Sequence, residues 1–559
     1  MFPMTKNLLH DQIAASVHSD FERLKDKHLP IVSMTDVSSL ISRLKARKAD
    51  GNTGLNTDCL TYGTEKLCVL LSMLFSCILT HGTIPSEFMI GSMTPIPKTK
   101  GTSDCSDKYR AITLGSCIGR ILDLILLERE GSTSLNTNDL QLGFKRNCST
   151  TLCTGLLKEV VSHFVNGGSN VYSVFLDASK AFDRVEFSSL FTNLLQRKVN
   201  TVYLRCLLHM YTNQKLLVKW NGHSSDLFTV KNGIKQGGIL SPLLFGTYMD
   251  TLFSELANTG KGCYIGPYFV GALGYADDIS LLSPSLEGLD CMINQCESYA
   301  ERYHILFNGA KSQLVKFCRK GSASPQREFV TVNGTKVFCS PSVVHLGHNL
   351  FEQIDKDDLQ SVINSFNRQF NMFRARFYNV PANVRNKLFF TYCTSFYGVQ
   401  ICDLGRMNRL HTAYRKAVRG LWRLPYRTHC RLIPGITENL CSVHMCVKRF
   451  LKFAIEVMTH KFPVVQFVFK NAMKLQSSLF KSNVLYCLGN LELELESVSL
   501  LESELALTVT SMCSRQCFSR EDLAVAKVIQ ELSLVREGHS HTVFDRLNAT
   551  ELINYLSIS

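Results

Sequence analysis

A bilayer-spanning segment is missing from the N-terminal region. Its longest apolar run, Leu67 to Leu79, has 13 residues and two serines, too short to cross and expected as a buried helix. The opening residues, MFPMTKNLLHDQ, lack the basic start and apolar stretch of a secretory signal, so an intracellular protein, nuclear or cytoplasmic, is expected. In that reducing setting the 21 cysteines are expected as small core residues rather than disulfides, Cys68, Cys77 and Cys206 lying inside apolar segments. Zinc-knuckle spacing is absent as well: Cys513 and Cys517 form a C-x3-C pair, but His539 and His541 lie much further on. No internal repeat or long low-complexity tract stands out. Charged residues are 19% and hydrophobic residues 45%, a globular balance that excludes a disordered chain.

What is present points to several lobes and a polyanionic partner. A chain of 559 residues divides into three to five units at roughly 100–200 residues each. Lys+Arg exceed Asp+Glu by 61 − 47 = 14, an excess that favours a polyanion. Residues 36–50 read as a helix with Leu40, Ile41 and Leu44 on one face. A second helix, 65–79, stops before His81-Gly82. Residues 93–104 read as a short strand and a basic hairpin, and 109–127 as a strand running into a helix. VYSVFLD (171–177) is a compact strand that stops at an acid, and 186–215 reads as helices. Residues 215–233 form an expected hairpin with Asn221-Gly222 near its turn, and Ser241-Pro242 opens a helix over 240–256. Residues 268–283 show two apolar arms with Asp277-Asp278 between them. This alternation predicts an α/β catalytic unit.

Residues 366–431 differ, with 13 Lys+Arg against one acid, Asp403. Phe366, Phe370, Phe373 and Phe377 recur at helical spacing and are expected as a core stripe rather than a base-stacking row. A solvated face would mix both signs, so the arginines suit a surface that tracks phosphates. The tract LELELESVSLLESELAL (491–507) reads as an edge strand or an amphipathic helix and carries no assigned chemistry.

The chemistry centres on Asp177, Asp277 and Asp278. An Asp-Asp pair alone reads as a solvated turn. Carboxylates gathered together raise one another's pKa unless a cation offsets the repulsion, and two divalent ions can serve a phosphoryl-type displacement. The surrounding residues resemble the reverse transcriptases of non-LTR (LINE-type) retrotransposons, near the jockey and chicken-repeat groups. FLDASKAFDRV (175–185) is similar to their motif A, NGIKQGGILSPLLF (232–245) to motif B and GYADDISLL (274–282) to motif C. LFNGAKSQL (306–314) resembles motif D, and VVHLGHNL (343–350) the primer-grip motif E. DGNTGLN, MTPIPKTKG and KYRAITLGSCIGRI resemble finger motifs of these elements, and LQLGFKRNCST (140–150) a segment that recurs in them.

The resemblance covers roughly residues 40–430 and implies a right-hand polymerase with an α+β palm. The expected units are an N-terminal segment (1–35), fingers (36–165), a palm carrying motifs A to E (166–350), a basic helical thumb (351–470) and a mostly helical C-terminal extension of unassigned role (471–559). It implies that Asp177 and Asp277 hold two Mg²⁺ (or Mn²⁺) ions, with Asp278 in support. Phe182 stands at the steric-gate position, where a ring selects deoxynucleotides. Lys98 and Arg110 are expected on the incoming triphosphate, and Gln236 and Gly237 in the nucleotide pocket. Lys311 is a candidate proton donor to pyrophosphate or a charge partner for it, though a lone lysine reads first as solvated. Leu346 and Gly347 of motif E, with Arg415, Lys416, Arg419 and Arg423, are expected against nucleic acid. Ala111 departs from the family pattern, which often has proline there. The implied partners are an RNA template, a DNA primer and dNTPs. An apurinic-type endonuclease domain ahead of the finger motifs is not expected, and an endonuclease supplied in trans is only a candidate partner. A silent copy that only binds RNA or RNA–DNA hybrid is the alternative, while maturase- or telomerase-like enzymes fit the finger and B motifs less well.

Overall fold

The computed structural model describes residues 8–22, 31–98 except 52, 105–130, 136–319, 328–430 except 357, 378 and 429, then 433 and 441–490. At its centre lies a four-stranded antiparallel sheet in the order Gln313–Phe317, Val171–Leu176, Asp278–Ser283, Ala272–Tyr275. All six residues of Val171–Leu176 are buried, Ser173 among them, so the strand is covered on both faces. The helices Thr150–Asn166 and Leu286–Arg302 pack against this sheet. Ser241–Asn258, opened by its proline as anticipated, packs on Leu286–Arg302 and on Phe187–Gln196.

A second sheet pairs Ile90–Pro97 antiparallel with Tyr109–Leu114 and parallel with Lys215–Trp220. Trp220 pairs with His223 across the two-residue turn Asn221-Gly222, both at positive φ (47° and 83°). That is the backbone an Asn-Gly hairpin turn demands. A smaller hairpin, Ser342–His345 with His348–Phe351, turns at Leu346 and Gly347, also at positive φ (49° and 78°).

Two helix expectations need correction. The helix expected over 36–50 is Met34–Ser42, opened by a Ser33/Asp36 capping box. It stops there because residues 48–50 pair with 55–57 through Asp50 N–H to Leu55 O (2.8 Å) and Thr57 N–H to Lys48 O (2.9 Å). The apolar helix is Glu65–His81, ended by left-handed Gly82. It buries Leu71, Phe75, Ile78 and Leu79 but exposes Val69, Leu70 and Met73, so it is a one-sided helix rather than a buried one. Cys77 on it is exposed, unlike buried Cys206, and every cysteine among the described residues is free. The C-x3-C pair and the 491–507 tract lie outside the described residues. Among the described residues no helix is long and apolar enough to cross a membrane.

Beyond the sheets the chain is helical: Leu359–Phe377, Ala382–Cys393, Asn408–Trp422, Ser442–Met458, Pro463–Lys474 and Leu479–Asn490. Phe366 and Phe373 are buried, with Phe370 and Phe377 packed half-buried beside them. Rings of Phe389, Phe396 and Tyr414 close around Phe366, so the aromatic stripe is core, as its spacing predicts. The helix Pro463–Lys474 runs across the expected unit boundary at 470, and Leu479–Asn490 packs on it.

Buried His411 bonds through Nδ1 to Ser442 Oγ at 2.9 Å. Burial, aided by Arg415, pulls its pKa from 6.5 down to about 4. The folded state therefore binds this proton less readily than the unfolded chain, and the stability His411 brings is present above about pH 6.5 and lost on acidification toward about 4. Thermal melts of wild type and His411→Gln are expected to converge between about pH 7.5 and about 5. A gap that stays constant with pH would contradict a buried neutral imidazole.

Candidate active site

Asp177 follows directly on the central strand. Its carbonyl accepts from Asn308 N–H (2.8 Å) and its N–H donates to Ser312 Oγ (3.3 Å), so the 306–312 loop fixes the strand end. Lys311 on that loop is exposed, with Nζ 3.8 Å from Asp177 Oδ2. Ile279 pairs with Leu176, and the same register carried one step further sets Asp278 across from Asp177. Asp277 occupies the turn beside it, after left-handed Ala276 (φ 60°). The three expected acids are thus brought to one end of the sheet.

Their electrostatics bear the mark of crowding. Burial raises the Asp277 carboxyl, and Asp177 raises it further against the opposing pull of its own backbone N–H and Arg110. Asp278 is pushed up to about 6 by burial, then by Asp277 and Asp177. A divalent cation would offset this repulsion. Among the described residues no three His, Cys, Asp or Glu side chains converge closely enough to enclose a metal.

Phe182 is half-buried, stacked on Phe245 (centroids 4.4 Å apart, planes at 12°) and met edge-on by Phe144 at 6.1 Å. Its carbonyl accepts from Ile234 N–H (2.9 Å), and Val185 O accepts from Gly233 N–H (2.8 Å). A Cβ on Gly233 would lie 2.9 Å from the Asp183 backbone, at a φ of 87°, so only glycine lets these segments meet. Gln236 donates through Nε2 to Asp183 Oδ1 (3.1 Å), and its carbonyl accepts from Thr113 N–H (2.9 Å). The 233–238 loop therefore ties the Tyr109–Leu114 strand to the segment behind Asp177. Gly237 (φ 102°) sits beside Thr113 O.

Arg110 is exposed on that strand, opposite Ile96, and its charge reaches Asp277. Ala111 pairs with Pro95, so the strand holds without the family's proline. Lys98 closes the same hairpin through its N–H to Lys108 O (2.9 Å), and its charge reaches Asp183. Residues 99–104 lie outside the described residues.

Leu346 and Gly347 form a hairpin tip held by Tyr397. The Tyr397 hydroxyl donates to Leu346 O (2.7 Å) and lies 2.7 Å from Thr150 Oγ1, while its ring stacks on His348 at 4.6 Å. The four basic candidates divide. Arg415 donates to His411 O (3.1 Å) and Cys430 Sγ (3.1 Å), and Arg419 to Thr428 O (2.9 Å) and Cys430 Sγ (3.3 Å). Both guanidinium groups bond to their own segment while staying partly exposed. Lys416 and Arg423 are exposed.

Sequence reasoning missed Phe144, Phe245, Asp183 and Tyr397. Phe144 lies in the recurrent 140–150 segment, and Asp183 directly follows the gate position. Tyr397 carried no local signal, because its partners are 51 and 247 residues away.

Residues 96–350 match the family model described as reverse transcriptase (RNA-dependent DNA polymerase). The chain is 29% identical, over 45% of its own length and 24% of the relative's, to the retrovirus-related Pol polyprotein from type-1 retrotransposable element R2 of Nasonia vitripennis. It is 24% identical, over 62% of itself and 38% of the relative, to the RNA-directed DNA polymerase from mobile element jockey of Drosophila melanogaster. It thus spans about a quarter to two fifths of these curated relatives. Among solved structures it is similar to apo telomerase from Candida tropicalis, at 12% identity, a TM-score of 0.38, 83% of this chain and 87% of that one.

Proposed function

We propose that this chain, a LINE-type reverse transcriptase by its family match and its jockey and R2 relatives, copies RNA into DNA by adding deoxynucleotides to a primer 3′-hydroxyl. The carrying observation is the acidic cluster, with Asp277 and Asp278 held above the usual carboxylate range by burial and by acidic neighbours. Asp177 and Asp277 are the residues to hold two Mg²⁺ or Mn²⁺ ions, with Asp278 in support. Such a pair would supply activation of the attacking hydroxyl and charge neutralisation of the leaving pyrophosphate.

The chain's own side chains do the rest. Arg110 and Lys98 meet the triphosphate from the Ile90–Pro97/Tyr109–Leu114 hairpin, the guanidinium offering a bidentate fork. Phe182 closes the space beside the sugar that a 2′-hydroxyl would need. Gln236 acts through Asp183, keeping the Phe182 backbone in register with the 233–238 loop, and Gly237 leaves room for the nucleotide beside Thr113. Lys311 is set to give a proton to the departing pyrophosphate, its ammonium being exposed next to Asp177. The Leu346-Gly347 tip carries the primer, and Lys416 and Arg423 meet phosphates of the hybrid.

The test is synthesis of a full-length DNA complement on a heteropolymeric RNA template with dNTPs. A product that forms only with ribonucleotides, or only on a DNA template, would overturn the reading. Tyr397→Phe keeps the ring stack and removes the hydroxyl that holds the tip. Its KM for primer–template is expected to rise about fivefold, the scale of one lost hydrogen bond, with kcat for the first addition nearly unchanged. Steady-state extension against primer–template concentration checks this, and an unchanged KM would remove the tip from primer handling.

A further inference from the structure

The segment 140–150 matched a recurrent family motif without a role. In the fold, residues 140–142 lie along the Ala272–Tyr275 edge of the central sheet. Leu142 N–H donates to Gly274 O and Gly274 N–H to Leu140 O, both at 2.8 Å, a parallel bridge centred on Gln141. Beyond Tyr275 the edge strand turns away, and the Gln141 side chain takes over its pairing. Oε1 accepts from Ala276 N–H and Gly143 N–H, each at 3.0 Å, and Nε2 donates to Ala276 O at 3.0 Å. Gln141 is only 2% exposed, so these bonds face no competition from water.

Ala276 is the residue that needs holding. It sits at a φ of 60°, in the left-handed region that L-residues avoid. Such a conformation persists where surrounding structure over-determines it. Here one amide grips both backbone groups of Ala276, and Gly143 packs so close that a Cβ there would lie 2.2 Å from Ala276 N. A Cβ on Gly274 would meet Phe253 at 2.5 Å and Gln141 Nε2 at 3.0 Å, so the contact closes from the other side too. Only a side chain of this length with an acceptor and a donor on one carbon can satisfy Ala276 twice. Asp277 is the next residue.

We infer that Gln141 is the positioning residue of the acidic turn, its amide fixing the left-handed Ala276 so that Asp277 is presented toward Asp177. Gln141 bonds only to backbone groups and acts through them. The inference rests on the polymerase reading for its effect on rate, but not for its effect on the turn.

Gln141→Met keeps length and apolar bulk and removes every polar contact. On poly(rA)/oligo(dT), well below either protein's melting midpoint, kcat is expected to fall about 10–100-fold, the scale of lost support behind a metal ligand. KM for dTTP and hybrid affinity should move less than about threefold, the split that marks a loss confined to the transition state. In the ion-free protein the Ala276 amide should exchange faster in the variant, with the Val171–Leu176 amides unchanged. A Met variant with wild-type kcat, or a kcat loss matched by lost hybrid binding, would each overturn the inference. If wild type extends nothing, the polymerase reading fails, while unchanged Ala276 exchange in the Met variant would still sink the positioning role by itself.

Discussion

Phe182→Ala is expected to admit ribonucleotides, with the preference for dTTP over UTP falling by about 100-fold, the scale at which an apolar wall rejects one added hydroxyl. The ring has little freedom to yield. It is stacked on Phe245 at 4.4 Å and bounded by the Phe144 edge. Its backbone is pinned by Ile234 on one side, and its neighbour Asp183 is tied to Gln236 on the other. Phe182→Tyr keeps the wall and should keep the preference. Single-nucleotide kcat/KM values for the two substrates provide the measurement, and an unchanged ratio in the alanine variant would remove the gate.

The larger effect belongs to Asp277→Asn. Asparagine preserves the shape of the turn and removes one negative charge, so extension should fall by at least about a thousandfold, the upper range for losing one preorganised polar group at a reacting centre. Stability should move the other way. The wild-type carboxyl is burdened by burial and by Asp177, and relieving that repulsion should leave the melting midpoint equal or higher. Hybrid binding should stay within about threefold, because phosphate contacts dominate that affinity. An Asn variant that loses activity by unfolding would separate Asp277 from the chemistry.

Signals confined to a few neighbouring residues were legible in the sequence. Asn221-Gly222 demands a left-handed two-residue turn whatever surrounds it, and the compact β-branched and aromatic run Val171–Leu176 reads as a strand. Ser241-Pro242 opens a helix by its fixed φ. The three acids were legible because each ends or turns a strand in the central sheet. Tertiary hydrogen bonds were not. The pairing of 48–50 with 55–57 cuts short the helix expected to 50, and no propensity foretells that. Counting arginines in 366–431 could not show that Arg419 bonds to Thr428 or that Arg415 and Arg419 both reach Cys430. Gln141 and Tyr397 matter through partners 135 and 51 residues away, and a lone glutamine or tyrosine announces nothing of that kind.

The most direct test of the acidic centre is primer extension on poly(rA)/oligo(dT) with dTTP and Mg²⁺ or Mn²⁺, wild type beside Asp277→Asn. The account predicts a ladder of DNA products from wild type, none from the variant, and hybrid bound by both. Hybrid binding without extension by wild type, or equal extension by both proteins, would contradict it.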